Sequence, residues 1–186
     1  MDAITLLRND HKTVKGLFTK FEKAGANAKK TKRELVDKMI EELAVHSAIE
    51  EQVFYPAVRE SVPDAEETVL EGLEEHHIVK WTLSELDGMD PEAERFDAKV
   101  TVLIESVRHH IEEEEAEMFP QVRAALGRKR LAELGEQMEK AKKIAPTRPH
   151  PRAPDTPPGN IVAGAGAGLV NRARGRGRQK ASSNRS

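Results

Sequence analysis

Two eleven-residue segments of the chain repeat histidine and glutamate at the same spacing. They are HSAIEEQVFYP at residues 46–56 and HIEEEEAEMFP at residues 110–120. Both have histidine at the first place, glutamate at the fifth and sixth, an aromatic residue at the tenth and proline at the eleventh. Residues four apart lie on the same face of a helix. Each segment therefore predicts an imidazole and a carboxylate that point the same way.

Two more histidines belong to a second repeat. DHKTVKGLFTKF (10–21) aligns with EHHIVKWTLSEL (75–86), which pairs His11 with His76. The neighbouring His77 is the alternative in the second copy, but the apolar stripe with helical spacing favours His76. All of these positions follow apolar stripes, so we expect them to face the interior. The predicted inward polar residues are His11, His46, Glu50, His76, His110 and Glu114.

Two carboxylates inside a protein need compensation, because each one loses several kcal/mol of hydration and the two repel each other. Buried His–Glu ion pairs, a water-filled cavity and a pair of divalent metal ions are the three possible arrangements. An ion pair explains one His–Glu pair well, but it explains four histidines and two glutamates in a two-fold array poorly. We therefore favour the metal. The chain has no cysteine, and imidazole with carboxylate suits iron, manganese and zinc.

Apolar residues recur with helical spacing in four long segments and one shorter segment. The predicted helices cover 3–24, 31–60, 64–88, 91–126 and 128–144. Asp90 and Pro91 are expected to cap and open the fourth helix, which Gly127 ends. Pro56 and Pro120 should kink or end their helices. Short turns between long helices predict an all-α, antiparallel up-down-up-down four-helix bundle with a short fifth helix.

The repeats extend beyond the polar residues. A shift of 64 aligns the second helix with the fourth, and a shift of 65 aligns the first with the third. The bundle should therefore consist of two helical hairpins related by an approximate two-fold axis. We assign residues 1–144 to this domain and residues 145–186 to a Pro-, Gly- and Arg-rich tail that is expected to be mostly disordered.

The tail is basic and the bundle is acidic. Residues 145–186 contain eight Lys or Arg and one Asp, a charge of +7, which leaves −9 for the rest of a chain with a net charge of −2. Contact of ARGRGR with nucleic-acid phosphates is a weak possibility, and a solubilising tail is the favoured interpretation. The apolar segment IVAGAGAGLV is too short to cross a bilayer. Neither a signal peptide nor a membrane partner is expected, which suggests a cytoplasmic protein. The oligomeric state stays open.

The order H…HxxxE…H…HxxxE over about residues 3–125 resembles the hemerythrin-like HHE cation-binding family. The resemblance implies an antiparallel four-helix bundle that holds a non-haem di-iron centre with an oxo or hydroxo bridge. Manganese and zinc are the alternative metals. Carried onto this sequence, the family's ligands would be the six inward residues, and Glu50 and Glu114 would bridge the irons.

One position departs from the oxygen-carrying members of the family, which have a second histidine on the third helix, four residues after the first. Lys80 stands at that place here, which argues against reversible oxygen carriage. The resemblance then implies a reaction with hydrogen peroxide (catalase-like), oxygen or nitric oxide. The alternatives are a non-enzymatic iron- or oxygen-binding or sensing module, and a structural bundle with buried ion pairs.

Four further side chains are assigned supporting roles. Glu51 and Glu115 directly follow the two inward glutamates. They should either face solvent or accept a hydrogen bond from the outer nitrogen of a ligating imidazole. Tyr55 is expected to be a packed aromatic residue at a helix end, and Trp81 is expected in the core.

Overall fold

The structure, a computed structural model, describes residues 1–153. The predictions for IVAGAGAGLV and for the basic segment fall outside these residues. The described chain forms six α-helices, which are α1 (Ala3–Lys23), α2 (Lys29–Ile49), α3 (Tyr55–Ser61), α4 (Glu66–Leu86), α5 (Phe96–Glu113) and α6 (Phe119–Lys142). A 3₁₀ turn, Pro63–Ala65, precedes α4. None of the helices in residues 1–153 combines the length and apolar character that crossing a membrane requires.

The four long helices α1, α2, α4 and α5, called rods below, form the predicted bundle. α1 packs against α2 and α5, and α4 packs against the same two helices. Successive rods run in opposite directions, which confirms the all-α, up-down-up-down architecture. Two apolar clusters fill the bundle, one containing Phe54 and Phe119 and the other containing Phe18 and Phe96. On each rod, the predicted inward histidine lies between a residue of one cluster and a residue of the other.

Two π-helical turns precede Pro56 and Pro120, where the sequence predicts a kink or a helix end. The turns are Glu50–Phe54, between α2 and α3, and Glu114–Met118, between α5 and α6. In each of them the N–H of the next residue bonds to a carbonyl five residues earlier, as in Tyr55 to Glu50. Residues five apart in an α-helix would point about 140° away from each other, whereas the wider turn brings both toward the interior. Each proline lies two residues after the end of its turn and donates no N–H of its own.

The predicted start of the fourth helix is wrong. α5 begins at Phe96, five residues after Pro91. Asp90 does not cap α5, because its Oδ1 accepts from the N–H of Glu92 at 2.8 Å and closes a local turn. Short polar side chains bond to nearby backbone in this way and compete with a helix start. At the other end, Gly127 interrupts α6 with φ 67° and ψ 172°, and the short fifth helix follows it as predicted.

The last part of α6 folds back over the start of α1. Leu131, Leu134 and Met138 share an apolar cluster with Ile4 and Leu7. The backbones meet at Gly135, where a Cβ atom would overlap the carbonyl oxygen of Met1. The approach depends on the absence of a side chain, and α6 thereby closes one end of the bundle.

Residues 145–153 continue along the bundle surface. Ala145 is buried against Val45 and Ala48 of α2. Arg152 lies 5.8 Å above the ring of Trp81. The prediction of a core position for Trp81 is wrong, since its side chain lies at the surface of the protein.

Replacing Gly135 with alanine should destabilise the protein by about 1–3 kcal/mol, because the new methyl group overlaps backbone that cannot move aside. The matched control is Gly16→Ala in α1, where a Cβ atom meets nothing within 4 Å. That change should stabilise the helix by about 1 kcal/mol. Thermal unfolding measures both, at roughly 2–4 °C per kcal/mol. A Gly135→Ala variant as stable as the Gly16→Ala variant would show that α6 does not dock here.

Candidate metal centre

The six predicted inward polar residues meet at one level of the bundle. His11 comes from α1, His46 from α2, His76 from α4 and His110 from α5, and all six side chains, including Glu50 and Glu114, are buried. His77 is not part of this group. It is half-buried on the outer side of α4, where Trp81 Nε1–H donates to His77 Nε2 at 3.0 Å.

The first half of the site is formed by one nitrogen or oxygen atom from each of four residues. These atoms, from His11, His46, Glu50 and Glu114, lie within 4.8 Å of one another. His11 Nε2 is 3.3 Å from Glu114 Oε2. His46 Nε2 is 3.2 Å from Glu50 Oε2. Two imidazoles and two carboxylates thus converge on one point.

The second half shares a carboxylate with the first. Glu50, His76 and His110 form a second group with the same mutual spacing, and Glu50 Oε2 is 3.3 Å from His76 Nε2. Glu114 Oε2, which belongs to the first half, also lies 3.7 Å from His110 Nε2. The two glutamates therefore lie between two pairs of imidazoles.

Each of the four imidazoles has a carboxylate at its outer nitrogen. The distances from Nδ1 to the nearest carboxylate oxygen are 2.8 Å for His11–Glu115, 3.0 Å for His76–Glu51, 2.6 Å for His110–Glu75 and 3.8 Å for His46–Asp10. An ionised carboxylate only accepts hydrogen bonds, so Nδ1 is the protonated nitrogen in the three close pairs. The hydrogen bonds predicted for Glu51 and Glu115 are present. In a neutral imidazole, this leaves Nε2 unprotonated toward the centre.

Two lysines extend this arrangement outward. Lys80 Nζ lies 2.9 Å and 3.0 Å from the two oxygens of Glu51. Lys15 Nζ lies 3.3 Å from Glu115 Oε1. The Lys80 ammonium group therefore binds a carboxylate that holds His76.

Two of the supporting carboxylates, Asp10 and Glu75, were not identified from the sequence. The repeat does contain the signal, because a shift of 65 pairs Asp10 with Glu75 and Lys15 with Lys80. The pair differs in one respect, since Asp10 Oδ1 also accepts from Lys142 of α6 at 2.5 Å.

Tyr55 borders the centre on one side. Its ring is buried as predicted, and its hydroxyl donates to Glu114 Oε1 at 3.0 Å. Gly72 of α4 leaves room for it, because a Cβ atom there would lie 3.0 Å from the hydroxyl oxygen. Burial, followed by the charges of Glu114 and Glu50, raises the pKa of Tyr55 well above its usual value. The hydroxyl therefore keeps its proton.

Several buried atoms at the centre have no hydrogen-bond partner among the protein's own groups. They are both Glu50 oxygens, Glu114 Oε2, His11 Nε2 and His46 Nε2. In addition, His76 Nε2 and His110 Nε2 face each other at 3.2 Å while both outer nitrogens donate elsewhere. Lone pairs directed at a common point repel unless positive charge lies between them. Nitrogen and oxygen atoms without any thiolate suit iron, manganese or zinc, so these residues fit a pair of such cations.

The titration behaviour of the centre agrees with a shortage of positive charge. Burial and the neighbouring Glu114 raise the pKa of Glu50 well above its usual value. Burial acts upward on Glu114 as well, but His110 and His11 outweigh it and lower that pKa to about 2. Burial also lowers the pKa of His76 well below its usual value. Of the two carboxylates, Glu114 is thus the one whose ionised form the imidazoles favour.

A small cavity adjoins the four imidazoles on the side away from Tyr55. Its volume is about 10 Å³, room for about one water-sized molecule. Apart from the imidazoles, its lining consists of Val14, Leu43, Ser47, Val79, Val107 and Ile111. Ser47 contributes a hydroxyl to this otherwise apolar lining. A small molecule in the cavity would contact the imidazoles directly.

Known proteins share the sequence and the fold. A hemerythrin-like protein of Schizosaccharomyces pombe is 30% identical over 169 residues, which cover 90% of this chain and 79% of that protein. A DNA nickase of Nostoc is 26% identical over 142 residues, which cover 76% of this chain but 39% of the nickase.

A solved structure matches the bundle as well. The crystal structure of a hemerythrin HHE cation binding domain-containing protein from Mycobacterium kansasii aligns with a TM-score of 0.65 and 26% identity, over 77% of this chain and 86% of that chain. The family model for the hemerythrin HHE cation binding domain matches residues 2–122, a range that contains all six inward residues. The chain belongs to the hemerythrin HHE cation binding domain family.

Proposed function

We propose that the protein is a non-haem di-iron protein that removes hydrogen peroxide in a catalase-like reaction. The overall reaction converts two molecules of hydrogen peroxide into two of water and one of oxygen. The observation that carries the proposal is the pair of buried His–Glu groups that share Glu50 and adjoin a cavity with room for about one water-sized molecule. When bound, two irons would supply the two-electron redox change that this reaction needs.

The buried residues divide the proposed iron ligands into two sets. His11 and His46 would bind one iron, His76 and His110 would bind the other, and Glu50 and Glu114 would be shared. Manganese fits the same nitrogen and oxygen ligands, and so does zinc. Zinc has no redox chemistry of its own, so it would support binding but not peroxide removal.

The cavity supports a small, uncharged reactant. Its apolar side chains, such as Val79 and Val107, disfavour anions. Its small volume excludes larger solutes. Ser47 provides a hydroxyl that can donate to or accept from peroxide. Lys80, which bonds to Glu51, supplies no nitrogen to the centre. The second iron would therefore keep more positions for an exogenous ligand than in the oxygen carriers, which favours reaction over reversible carriage.

Tyr55 and the outer carboxylates would hold protons at fixed atoms. The Tyr55 hydroxyl keeps its proton on the hydrogen bond to Glu114 Oε1, which fixes the orientation of a shared carboxylate. Glu51, Glu75 and Glu115 keep protons on the outer imidazole nitrogens. Ligands held in this way need little rearrangement when the redox state changes.

The central test combines metal analysis with oxygen evolution from hydrogen peroxide. The wild-type protein loaded with iron should contain about two irons per chain and absorb in the near ultraviolet. The His110→Ala variant should bind about one iron fewer per chain, and its activity should fall more than tenfold. The reason is that His110 is one of the two imidazoles in the second half of the metal centre. The matched control is His109→Ala, which changes the adjacent, solvent-exposed histidine and should keep both iron and activity.

The possible outcomes separate the candidate functions. Two bound irons without oxygen evolution would contradict peroxide removal and favour an iron- or oxygen-binding module. Equal loss of activity in the His109→Ala and His110→Ala variants would contradict the assignment of the ligands. Circular dichroism of both variants establishes that the bundle is intact.

Loss of an outer carboxylate should weaken metal binding. Glu115→Ala removes the oxygen 2.8 Å from His11 Nδ1, and the expected loss of iron affinity is about 10–100-fold. Glu117→Ala is the control, because it removes an exposed glutamate from the same π turn. A competing chelator measures both affinities. Equal affinities in the two variants would mean that the outer carboxylate does not support the ligand.

Removal of the metal should lower the melting temperature. Cations neutralise Glu50 and Glu114, so metal binding stabilises the folded state by about 2.7 kcal/mol when free metal is 100 times its dissociation constant. This corresponds to a shift of roughly 5–10 °C. Calorimetry of the loaded and chelator-treated protein measures it. If the two forms melt together, the glutamates do not hold a cation.

A further inference from the structure

The outer side of α4 carries large apolar residues that the described part of the chain leaves exposed. Leu70, Ile78 and Trp81 are exposed by 48%, 59% and 41%. At about 100° per residue, Trp81 lies about 20° and Ile78 about 80° around the helix from Leu70. Ile78 and Trp81 adjoin each other, whereas Glu74 and His77 lie on the same side of the helix between Leu70 and Trp81. This side of the helix, about 16 Å from Leu70 to Trp81, is called the α4 ridge. Covering these side chains would remove apolar surface from water, which is favourable.

Acidic residues accompany the α4 ridge. Glu67, Glu71 and Glu74 are exposed and lie within about 100° of Leu70 on the same side of the helix. A segment that covers the ridge should therefore combine small or apolar side chains with nearby positive charge.

The C-terminal segment leads directly to the α4 ridge. Arg148 Nη1 lies 3.7 Å from Asp87 Oδ1, just after the end of α4. Four residues later, Arg152 lies over the ring of Trp81. The described chain thus ends, at residue 153, beside the C-terminal end of the ridge.

The chain beyond residue 153 has the composition that the ridge requires. IVAGAGAGLV at 161–170 is apolar and rich in small residues, and NRARGRGRQK at 171–180 contains five Lys or Arg. The eight residue steps from Ala153 to Ile161 span at most about 26–29 Å, more than the length of the ridge. The apolar segment therefore reaches every part of the ridge without leaving its own molecule.

We propose that residues 161–170 dock on the α4 ridge of the same chain, with the basic residues that follow near Glu67, Glu71 and Glu74. Glycine and alanine in the segment permit close approach to the helix, while Ile161, Val162, Leu169 and Val170 supply apolar contact. α4 also carries His76 on its inner side, so the docked segment would cover the outside of a helix that lines the candidate metal centre. The proposal does not depend on the metal or on peroxide removal.

Trp81 is the single tryptophan of the chain, so its fluorescence tests the proposal in the full-length protein. In the wild type the indole should be shielded from acrylamide. A Val162→Asp/Leu169→Asp double variant should raise the quenching constant about twofold and shift the emission to longer wavelength, because the apolar cover leaves the ring. The control is Ser182→Asp/Ser183→Asp, which adds the same charges outside the apolar segment and should leave the quenching constant unchanged.

A variant on the ridge completes the experiment. Ile78→Asp should also raise the quenching constant, and combining it with the double variant in the segment should add little, since both remove the same contact. Unchanged quenching in the Val162→Asp/Leu169→Asp variant overturns the proposal. Quenching that falls with protein concentration and responds to Ile78→Asp alone would show that a second copy covers the ridge, and that outcome also overturns it.

Discussion

The burial of two carboxylates between four helices is the constraint on which the rest of the structure depends. Glu50 and Glu114 would cost too much free energy there if they stood alone. The protein surrounds them with layers of alternating charge and polarity. Four imidazoles lie next to the carboxylates, carboxylates lie outside the imidazoles, and Lys15 and Lys80 lie outside two of these. Each layer offsets the charge or polarity of the layer inside it. The innermost layer, the two carboxylates, would in turn be neutralised by cations.

The internal repeat supplies these layers in duplicate, and the one clear asymmetry has a structural cause. Glu75 lies 2.6 Å from His110, whereas its counterpart Asp10 lies 3.8 Å from His46. Asp10 is also bonded to Lys142, at the end of the helix that closes over α1. This extension continues the second hairpin and packs on α1 of the first. α6 therefore competes for the carboxylate that would otherwise hold His46 closely.

The sequence predicted the bundle and the level at which the polar residues meet, because both follow from helical spacing and the repeat. It misplaced the start of α5, since Asp90 satisfies a turn as well as it satisfies a helix. It placed Trp81 in the core because an aromatic residue near an apolar stripe usually lies inside. The sequence did not predict the π turns, because widening one helical turn by a single residue requires no particular residue type. The contacts of residues 145–153 depend on tertiary packing alone.

The π turns also determine what could be transplanted from this protein. In a straight α-helix, the glutamate and the aromatic residue five positions later cannot both face one axis. A designer who copied these side chains onto idealised rods would therefore bring the Glu50 carboxylate into place and send the Tyr55 hydroxyl outward. The unit that would have to be transplanted is α2 and α5 together with the π turns that follow them. A bundle engineered to hold the same centre needs that irregular backbone as much as it needs the histidines.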